Sequence, residues 1–194
     1  MDRELKTCWN TDDPLYIKYH DEEWGVPLHD DNKLFEFMIL DAFQAGLSWY
    51  IILKKREAFR KAFNGFDPEK VAKYTDKDVE RLVKDSTIVR NRSKILATVN
   101  NARCFLKIQK EFGCFDKYIW QFVNGKTVQN SFVQLSDLPA ESEESKAMSN
   151  DLKKRGFQFV GPTICYSFMQ AAGLVNDHLV TCFRYKPIQK NPQQ

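Results

Sequence analysis

The stretch "KKRGFQFVGPTICYSF", residues 153–168, decides the fold. Gly156 and Gly161 bracket a short turn, and Pro162 after Gly161 is typical of a helix start, because proline suits the first helical position. A turn of this kind between two helices presents backbone amides and a helix N-terminus, which can bind a phosphate. The stretch therefore predicts a helix-hairpin-helix that contacts a DNA backbone. The alternative, which the spacing supports equally well, is an ordinary corner between two helices whose basic residues 153–155 are simply exposed to solvent.

Helix signals also mark much of the remaining chain. Aspartate followed by proline, at Asp13-Pro14 and again at Asp67-Pro68, is typical of an N-cap followed by the first helical residue. Ser48 is the expected cap of a third helix. An apolar-rich helix is predicted over residues 31–45, and apolar residues at helical spacing predict another over 91–112.

The predicted domain organisation follows from the absence of a βα alternation and of a linker between these helices. Strands and helices do not alternate, and the lack of periodicity over residues 126–140 predicts a loop or an extended connection. The predicted fold class is therefore all-α. No linker divides the chain, so we expect one domain over residues 1–186, with two lobes around a groove, and a C-terminal tail over 187–194.

Composition restricts the class of protein only loosely. Hydrophobic residues make up 43% of the 194 residues and charged residues 28%, which is ordinary for a globular chain. The net charge of +3 permits contact with nucleic acid but does not require it. No apolar stretch reaches the length of a membrane span, and the N-terminus lacks the pattern of a signal peptide. We therefore expect a cytoplasmic protein without a membrane partner.

Cysteine and histidine residues near the two ends of the chain suggest a metal site. An odd count of five cysteines argues against a disulfide framework. His178 and Cys182 are four residues apart, so on a helix they share one face. With Cys8 and His20 they form a Cys2His2 set that suits tetrahedral, structural zinc. The alternative is that these are ordinary buried core residues.

A carboxylate among aromatic residues marks a second candidate site. Asp41 lies in the apolar run "FMILDAFQAGLSWY", residues 37–50, where an unpaired acid is expensive to bury. Aromatic faces with one carboxylate suit a planar, cationic guest that donates hydrogen bonds. The alternative is that the aromatics belong to the core. The nearby aromatic residues are Trp9, Tyr16, Tyr19, Trp24 and Trp49.

These pieces occur together in one family. The stretches "DPLYIKYHDEEWGVP", "QAGLSW", "ILKKREAFRKAF", "IVRNRSKI" and "KKRGFQFVGPTICYSFMQAAGLVNDH" closely resemble the bacterial DNA-3-methyladenine glycosylase I family. The resemblance runs from about Cys8 to Cys182. It implies an all-α, two-lobed helix-hairpin-helix glycosylase fold, and a structural zinc that joins the N- and C-terminal segments. It also implies an enzyme that hydrolyses the N-glycosidic bond of 3-methyladenine in alkylated double-stranded DNA and releases the free base. Because the pocket motif contains no lysine that could form a Schiff base, we expect a monofunctional enzyme without strand cleavage. We also expect a monomer.

The resemblance also implies roles for individual residues. Asp41 would recognise the flipped base. The expected base-binding aromatic positions are Tyr16, Tyr19, Trp49, Trp9 and Phe43. The expected DNA contacts are Gln44, Ala45, Gly46, Leu47, Lys154, Arg155, Gly156, Gly161 and Thr163. The expected zinc ligands are Cys8, His20, His178 and Cys182.

The chain departs from the family pattern at the base site. The pocket carboxylate is usually Glu, and here it is Asp41; Phe43 stands where Gln is often found. These changes are the support for an alternative function, a non-catalytic zinc-containing module that binds DNA or senses damage. Asn176 occupies the place where many helix-hairpin-helix glycosylases carry a catalytic Asp. The adjacent Asp177 is expected to orient His178.

Overall fold

The computed structural model describes residues 6–190, and most of them lie in helices. Short 3-10 turns and one two-residue parallel ladder complete the structure. No helix within this range is long and apolar enough to span a bilayer. The helices are α1 Pro14–Glu22, α2 Asp31–Gln44, α3 Trp49–Ala62, α4 Pro68–Val71, α5 Asp76–Lys84, α6 Arg92–Phe112, α7 Phe115–Trp120, α8 Glu143–Lys154, α9 Pro162–Ala171 and α10 Tyr185–Lys190. The strands are β1 Val128–Gln129 and β2 Val175–Asn176, and the 3-10 turns are Asn64–Phe66, Gln121–Val123 and Leu135–Asp137.

The helix starts follow local sequence signals. The Asp13 side chain accepts hydrogen bonds from the first backbone amides of α1, and Asp67 does the same for α4. Both predicted caps are therefore confirmed, because a carboxylate satisfies amides that the helix itself leaves free. Ser48 does occupy the N-cap position of α3, but its side chain makes no capping hydrogen bond.

Helix α2 forms the centre of the core. Its residues 34–43 are all buried, and it packs against α3, α6, α7 and α9. A helix that is apolar on nearly every face must be surrounded by other elements. The remaining helices are therefore arranged around α2, and Asp41, near its C-terminal end, is drawn into the interior with it.

Residues 126–140 hold the only strand pairing among the residues that the structure describes. Val128 pairs with Val175 and Gln129 with Asn176, in parallel register. The Val128 amide donates to the Leu174 carbonyl at 2.9 Å and the Asn130 amide donates to the Asn176 carbonyl at 3.3 Å, so the pairing satisfies part of the backbone of this connection. The all-α expectation is otherwise confirmed, since the ladder is two residues long.

The segment after β2 differs from the prediction. His178 and Cys182 were expected on one helix, but residues 177–184 form successive turns and α10 begins only at Tyr185. The expected end of the domain at residue 186 falls within α10, and this boundary stays a prediction. Residues 191–194 of the expected tail lie outside the described residues.

Candidate functional site

A cavity lies where α1, the C-terminal end of α2, the start of α3 and α9 meet. Its volume is about 140 Å³. The lining residues are Trp9, Tyr16, Tyr19, Trp24, Asp41, Gln44, Trp49, Ser167 and Gln170.

The aromatic walls are built by packing of one ring on another. Trp9 stacks on Tyr16, with ring centroids 4.7 Å apart, and lies 6.0 Å from Tyr19. Tyr19 in turn contacts Trp49 at 5.2 Å. The spacing of three residues between Tyr16 and Tyr19 places both rings on the cavity side of α1. The structure thus brings together four of the five aromatic residues that the sequence suggested for base binding.

Asp41 is the acidic group of the cavity. Its side chain is 2% exposed, and Oδ2 has no hydrogen-bond partner among residues 6–190. Burial raises the pKa of this carboxyl well above its usual range, because the charged form loses its hydration. An acceptor left without a partner in a protein interior is costly, so a ligand that donates to Oδ2 would recover that cost.

Trp49 offers the complementary group. Its indole Nε1 is buried and, within residues 6–190, also has no hydrogen-bond partner. The cavity is therefore lined by one residue with an unpaired acceptor and one with an unpaired donor. A planar heterocycle with an amino group and a ring nitrogen carries the matching donor and acceptor.

Phe43 does not belong to this site, and its assignment to base binding was wrong. Its side chain is fully buried and packs against Phe59 and Phe63, with ring centroids 4.7 and 6.0 Å away. Two residues along a helix turn the side chain through about 200°. Phe43 therefore faces the opposite side of α2 from Asp41.

A second cluster joins the two ends of the chain. The ligand atoms of Cys8, His20, His178 and Cys182 all lie within 4.8 Å of one another, and all four residues are buried. His178 Nδ1 lies 3.4 Å from Cys8 Sγ and 3.5 Å from Cys182 Sγ; His20 Nε2 lies 3.6 Å from Cys182 Sγ. Zinc–sulfur and zinc–nitrogen bonds of about 2.3 and 2.0 Å at a tetrahedral angle place S and N about 3.5 Å apart. The donor set and its spacing therefore fit a tetrahedral metal ion.

Outer contacts orient the ligands of this cluster. His20 Nδ1 lies 2.6 Å from Asp21 Oδ1, and His178 Nε2 donates to the Trp24 carbonyl at 2.9 Å. The Leu179 amide donates to Cys8 Sγ at 3.3 Å. The pKa of the Cys182 thiol is lowered, chiefly by its hydrogen bond with Cys8 and then by the two imidazoles. The same hydrogen bond, together with burial, raises the pKa of the Cys8 thiol, so in this pair it is Cys182 that favours the thiolate form that binds metals.

Asp177 does not play the part expected from the sequence. It accepts hydrogen bonds from Tyr166 Oη at 2.8 Å, Gln170 Nε2 at 2.8 Å and Asn130 Nδ2 at 2.7 Å. The Trp24 carbonyl, and not Asp177, is the outer partner of His178. The carboxylate instead fixes the amide of Gln170 at the edge of the cavity.

The hairpin turn, residues 155–161, is held from several sides. Ser149 Oγ donates to the Val160 carbonyl at 2.6 Å. The Arg155 guanidinium binds Asp151 of α8 at 2.8 Å and Glu111 of α6 at 2.7 Å, so its charge is already paired within the protein. Lys154 and Thr163 are exposed beside the turn, and Gly161 is the N-cap of α9.

A family comparison relates this arrangement to known proteins. The family model described as methyladenine glycosylase matches residues 9–185. The chain belongs to the methyladenine glycosylase family. It is therefore an enzyme of the glycosylase class, as the sequence predicted.

Individual relatives of the glycosylase agree with this assignment. This chain is 53% identical over 182 residues to DNA-3-methyladenine glycosylase 1 of Escherichia coli (strain K12), and the match covers 93% of this chain and 97% of the relative. A crystal structure of 3-methyladenine DNA glycosylase I matches with a TM-score of 0.89 and 49% identity, covering 92% of this chain and 98% of the other. A variant of 3-methyladenine DNA glycosylase I in complex with 3-methyladenine matches with a TM-score of 0.90 and 42% identity, covering 92% and 96%.

Sequence reasoning missed part of the glycosylase's cavity. Ser167 and Gln170 line it from α9, and Gln44, expected to contact DNA, also lines it. The available signal was the spacing of three residues between Ser167 and Gln170 on a helix that is mostly apolar, "PTICYSFMQA". Trp24 was noted among the aromatics near Asp41, but it was not carried into the predicted site.

Proposed function

We propose that this glycosylase hydrolyses the N-glycosidic bond of 3-methyladenine in alkylated double-stranded DNA. The observation that carries the proposal is the unpartnered carboxylate of Asp41, buried in an aromatic cavity. The names of the relatives support the substrate, and so does the relative solved with 3-methyladenine bound.

The charge and shape of the cavity favour a cationic base. Methylation at N3 makes adenine in DNA a cation, and aromatic faces attract a cation more strongly than a neutral ring. Asp41 would accept a hydrogen bond from the exocyclic amine, and a charge-assisted bond of this kind is stronger than a neutral one. Unmodified adenine lacks the positive charge, so it would gain less from both contacts.

The reaction needs little help from an acid. A water oxygen forms a bond to the deoxyribose C1′ while the bond from C1′ to the base breaks. The bonding electrons leave with the base, which departs neutral, and the water gives its proton to solvent. The main tasks of the protein are therefore to extrude the base from the helix and to hold it.

We propose a monofunctional reaction without strand cleavage. Strand cleavage requires an amine that forms a Schiff base with the sugar. Within residues 6–190, no lysine lines the cavity. If trapping with borohydride during turnover gave a stable protein–DNA adduct, this part of the proposal would be wrong.

Two segments are proposed to contact the DNA, as in a helix-hairpin-helix glycosylase. The insertion loop, residues 44–48, would enter the duplex where the damaged nucleotide leaves it. Gly46 has a φ of +76°, and the Leu47 side chain is 38% exposed. The hairpin turn and the first amides of α9 would bind a backbone phosphate. The exposed Lys154 would add a positive charge there.

The Cys/His cluster is proposed to hold one structural zinc ion. Zinc would be held by the two thiolates and two imidazoles, which leave no open position for a substrate. Its contribution would be to tie the N-terminal segment to residues 178–182. Since α1 carries both His20 and two cavity aromatics, the bound ion would also hold one wall of the cavity in place.

Binding of the free base tests the role of Asp41. Replacing a charged hydrogen-bond acceptor, as in Asp41→Asn, should cost about 1.5–3 kcal/mol, or roughly ten- to a hundredfold in affinity for 3-methyladenine. Asp76→Asn, at an exposed position in α5, is the matched control and should bind like the wild type. Unchanged affinity in Asp41→Asn would contradict the assignment.

Release of the base from alkylated duplex DNA tests the function itself. The wild type should release 3-methyladenine, and Asp41→Asn should release it more slowly. If the wild type bound the duplex without releasing any base, the chain would be the non-catalytic DNA-binding module.

A further inference from the structure

Lys94 on α6 is a buried cation without an acidic partner in the part of the chain that the structure describes. It is 6% exposed, and its Nζ donates to the carbonyl oxygens of Phe43 at 2.8 Å and Ala45 at 2.6 Å. A buried ammonium is costly, and burial lowers the pKa of this amine. The C-terminal carbonyls of a helix carry partial negative charge, which favours a cation there. Lys94 is therefore bound to the end of α2, where the insertion loop begins.

The insertion loop has few other constraints. The Leu47 amide donates to the Gln44 carbonyl at 2.6 Å within the loop itself, and Ser48 makes no side-chain cap. Gly46 has the backbone freedom of a left-handed glycine. The Ser48 carbonyl accepts from the Ile51 amide at 3.1 Å, which ties the loop to α3, the helix that directly follows it. Within residues 6–190, the bond from Lys94 to the Ala45 carbonyl is the hydrogen bond that ties this loop to a helix distant in sequence.

The same helix also holds the hairpin turn. Asn100 Nδ2 donates to the Gly156 carbonyl at 2.7 Å. Asn101 Nδ2 donates to the Gln158 carbonyl at 2.9 Å, and its Oδ1 accepts from the Gln158 amide at 2.8 Å. Lys94 and Asn101 are seven residues apart, which is two helical turns, so they share one face at a rise of roughly 10 Å.

We infer that Lys94 is a positioning residue for DNA binding, and that α6 sets the distance between the insertion loop and the hairpin turn. The inference rests on the proposed function, in which both segments contact the same duplex. A loop that is misplaced by an ångström loses its contacts with the duplex, whereas Gln44 is the one residue of this loop that a free base in the cavity would meet. Lys94 itself does not line the cavity.

The test compares Lys94→Met, which keeps the length of the side chain, with Lys107→Met. Lys107 is an exposed lysine of the same helix, so the control removes the same charge without removing a bond. The readouts are affinity for a duplex with a stable abasic-site analogue, affinity for free 3-methyladenine, and the melting temperature. Lys94→Met should bind the duplex about tenfold more weakly, while its affinity for the free base changes less than about twofold. Lys107→Met should bind both ligands like the wild type.

Two results would overturn the role of Lys94. One is duplex affinity in Lys94→Met equal to that of Lys107→Met. The other is a parallel loss of affinity for the free base, which would indicate general damage to the fold. If Lys94→Met does not fold, Lys94→Gln, which keeps a neutral donor, takes its place and should bind the duplex with intermediate affinity. If the wild type releases no base from alkylated DNA, the proposed function fails, but the abasic-duplex affinities still decide the role of Lys94.

The spacing role of α6 is tested by combining Lys94→Met with Asn101→Ala. If α6 positions both segments for one duplex, the double variant should lose less duplex affinity than the product of the two single losses. The reason is that a duplex already misaligned at one segment gains little from the other. Losses that simply multiply would show that the two contacts act independently.

Discussion

The Cys/His cluster and the base cavity both bury polar groups, and they share the rings of Trp9 and Trp24. Trp9 contacts His20 on one side and Tyr16 on the other, and the Trp24 carbonyl accepts from His178 while its ring lines the cavity. In the cluster, all four ligand residues have neighbouring donors or acceptors. In the cavity, Asp41 Oδ2 and Trp49 Nε1 have none among residues 6–190. The paired groups of the cluster stabilise the fold, whereas the two unpaired groups of the cavity are available to bind a ligand.

Loss of a cluster ligand should give the largest effect on stability. Structural zinc supplies about 10–16 kcal/mol to small metal-dependent domains, and this chain has a larger core, so Cys182→Ala should cost several kcal/mol but less than that. Urea unfolding with and without chelator measures the loss. Chelator should lower the stability of the wild type and leave Cys182→Ala unchanged.

Cys114→Ala is the control for the cluster variant, since Cys114 is half-buried and lies outside the cluster. It should respond to chelator like the wild type. Metal analysis of protein purified without chelator should give one equivalent of zinc, and less than about half an equivalent would contradict a closed four-ligand site.

Phe43→Ala should destabilise the fold without altering the cavity. Removing a fully buried phenylalanine typically costs about 3–5 kcal/mol of the free energy of unfolding. The reason is that neighbouring side chains fill only part of the void left beside Phe59 and Phe63. Affinity for 3-methyladenine, measured well below the melting temperature, should stay within about twofold of the wild type. A large loss of affinity for 3-methyladenine would show that Phe43 does contribute to base binding.

Asp41→Asn should change the free energy of unfolding less than Phe43→Ala does, and it should stabilise the fold instead of destabilising it. Because burial raises the pKa of Asp41, the folded state holds its proton more tightly than the unfolded state, whose pKa is about 3.9. Wild-type stability should therefore fall, relative to Asp41→Asn, as the pH rises from about 4 through the folded-state pKa. Melting temperatures of both proteins over a pH series measure this difference. A difference that does not vary with pH would mean that Asp41 has a partner in solution.

Trp49→Phe should give the smallest effect, confined to the ligand. The phenyl ring retains an aromatic face but lacks the indole N–H, so affinity for 3-methyladenine should fall by about 0.5–1.5 kcal/mol, or two- to tenfold. Trp120→Phe is the matched control, since its Nε1 already donates to the Leu28 carbonyl at 3.0 Å. The control should lose stability and keep its affinity. Equal affinities of wild type and Trp49→Phe would show that Trp49 contributes only its ring face.

Local signals predicted much of the helical framework. Asp13 and Asp67 cap helices because a carboxylate satisfies nearby amides, which depends only on neighbours in sequence. The apolar run of α2 identified a central helix, and the Cys/His set was found from residue chemistry and count alone. Even there, the prediction that His178 and Cys182 share a helix was wrong, because turns of the chain bring the two side chains together equally well.

The sequence by itself thus determined the helices, the cluster residues and the presence of a carboxylate among aromatic rings. Only the tertiary structure decided that Phe43 faces away from Asp41, that Gln170 lies at the cavity edge, and that Lys94 holds the end of α2. The physical reason is that these positions depend on which elements pack against each face. Capping and periodicity act over a few residues, whereas the bond between Lys94 and Ala45 joins positions 49 residues apart.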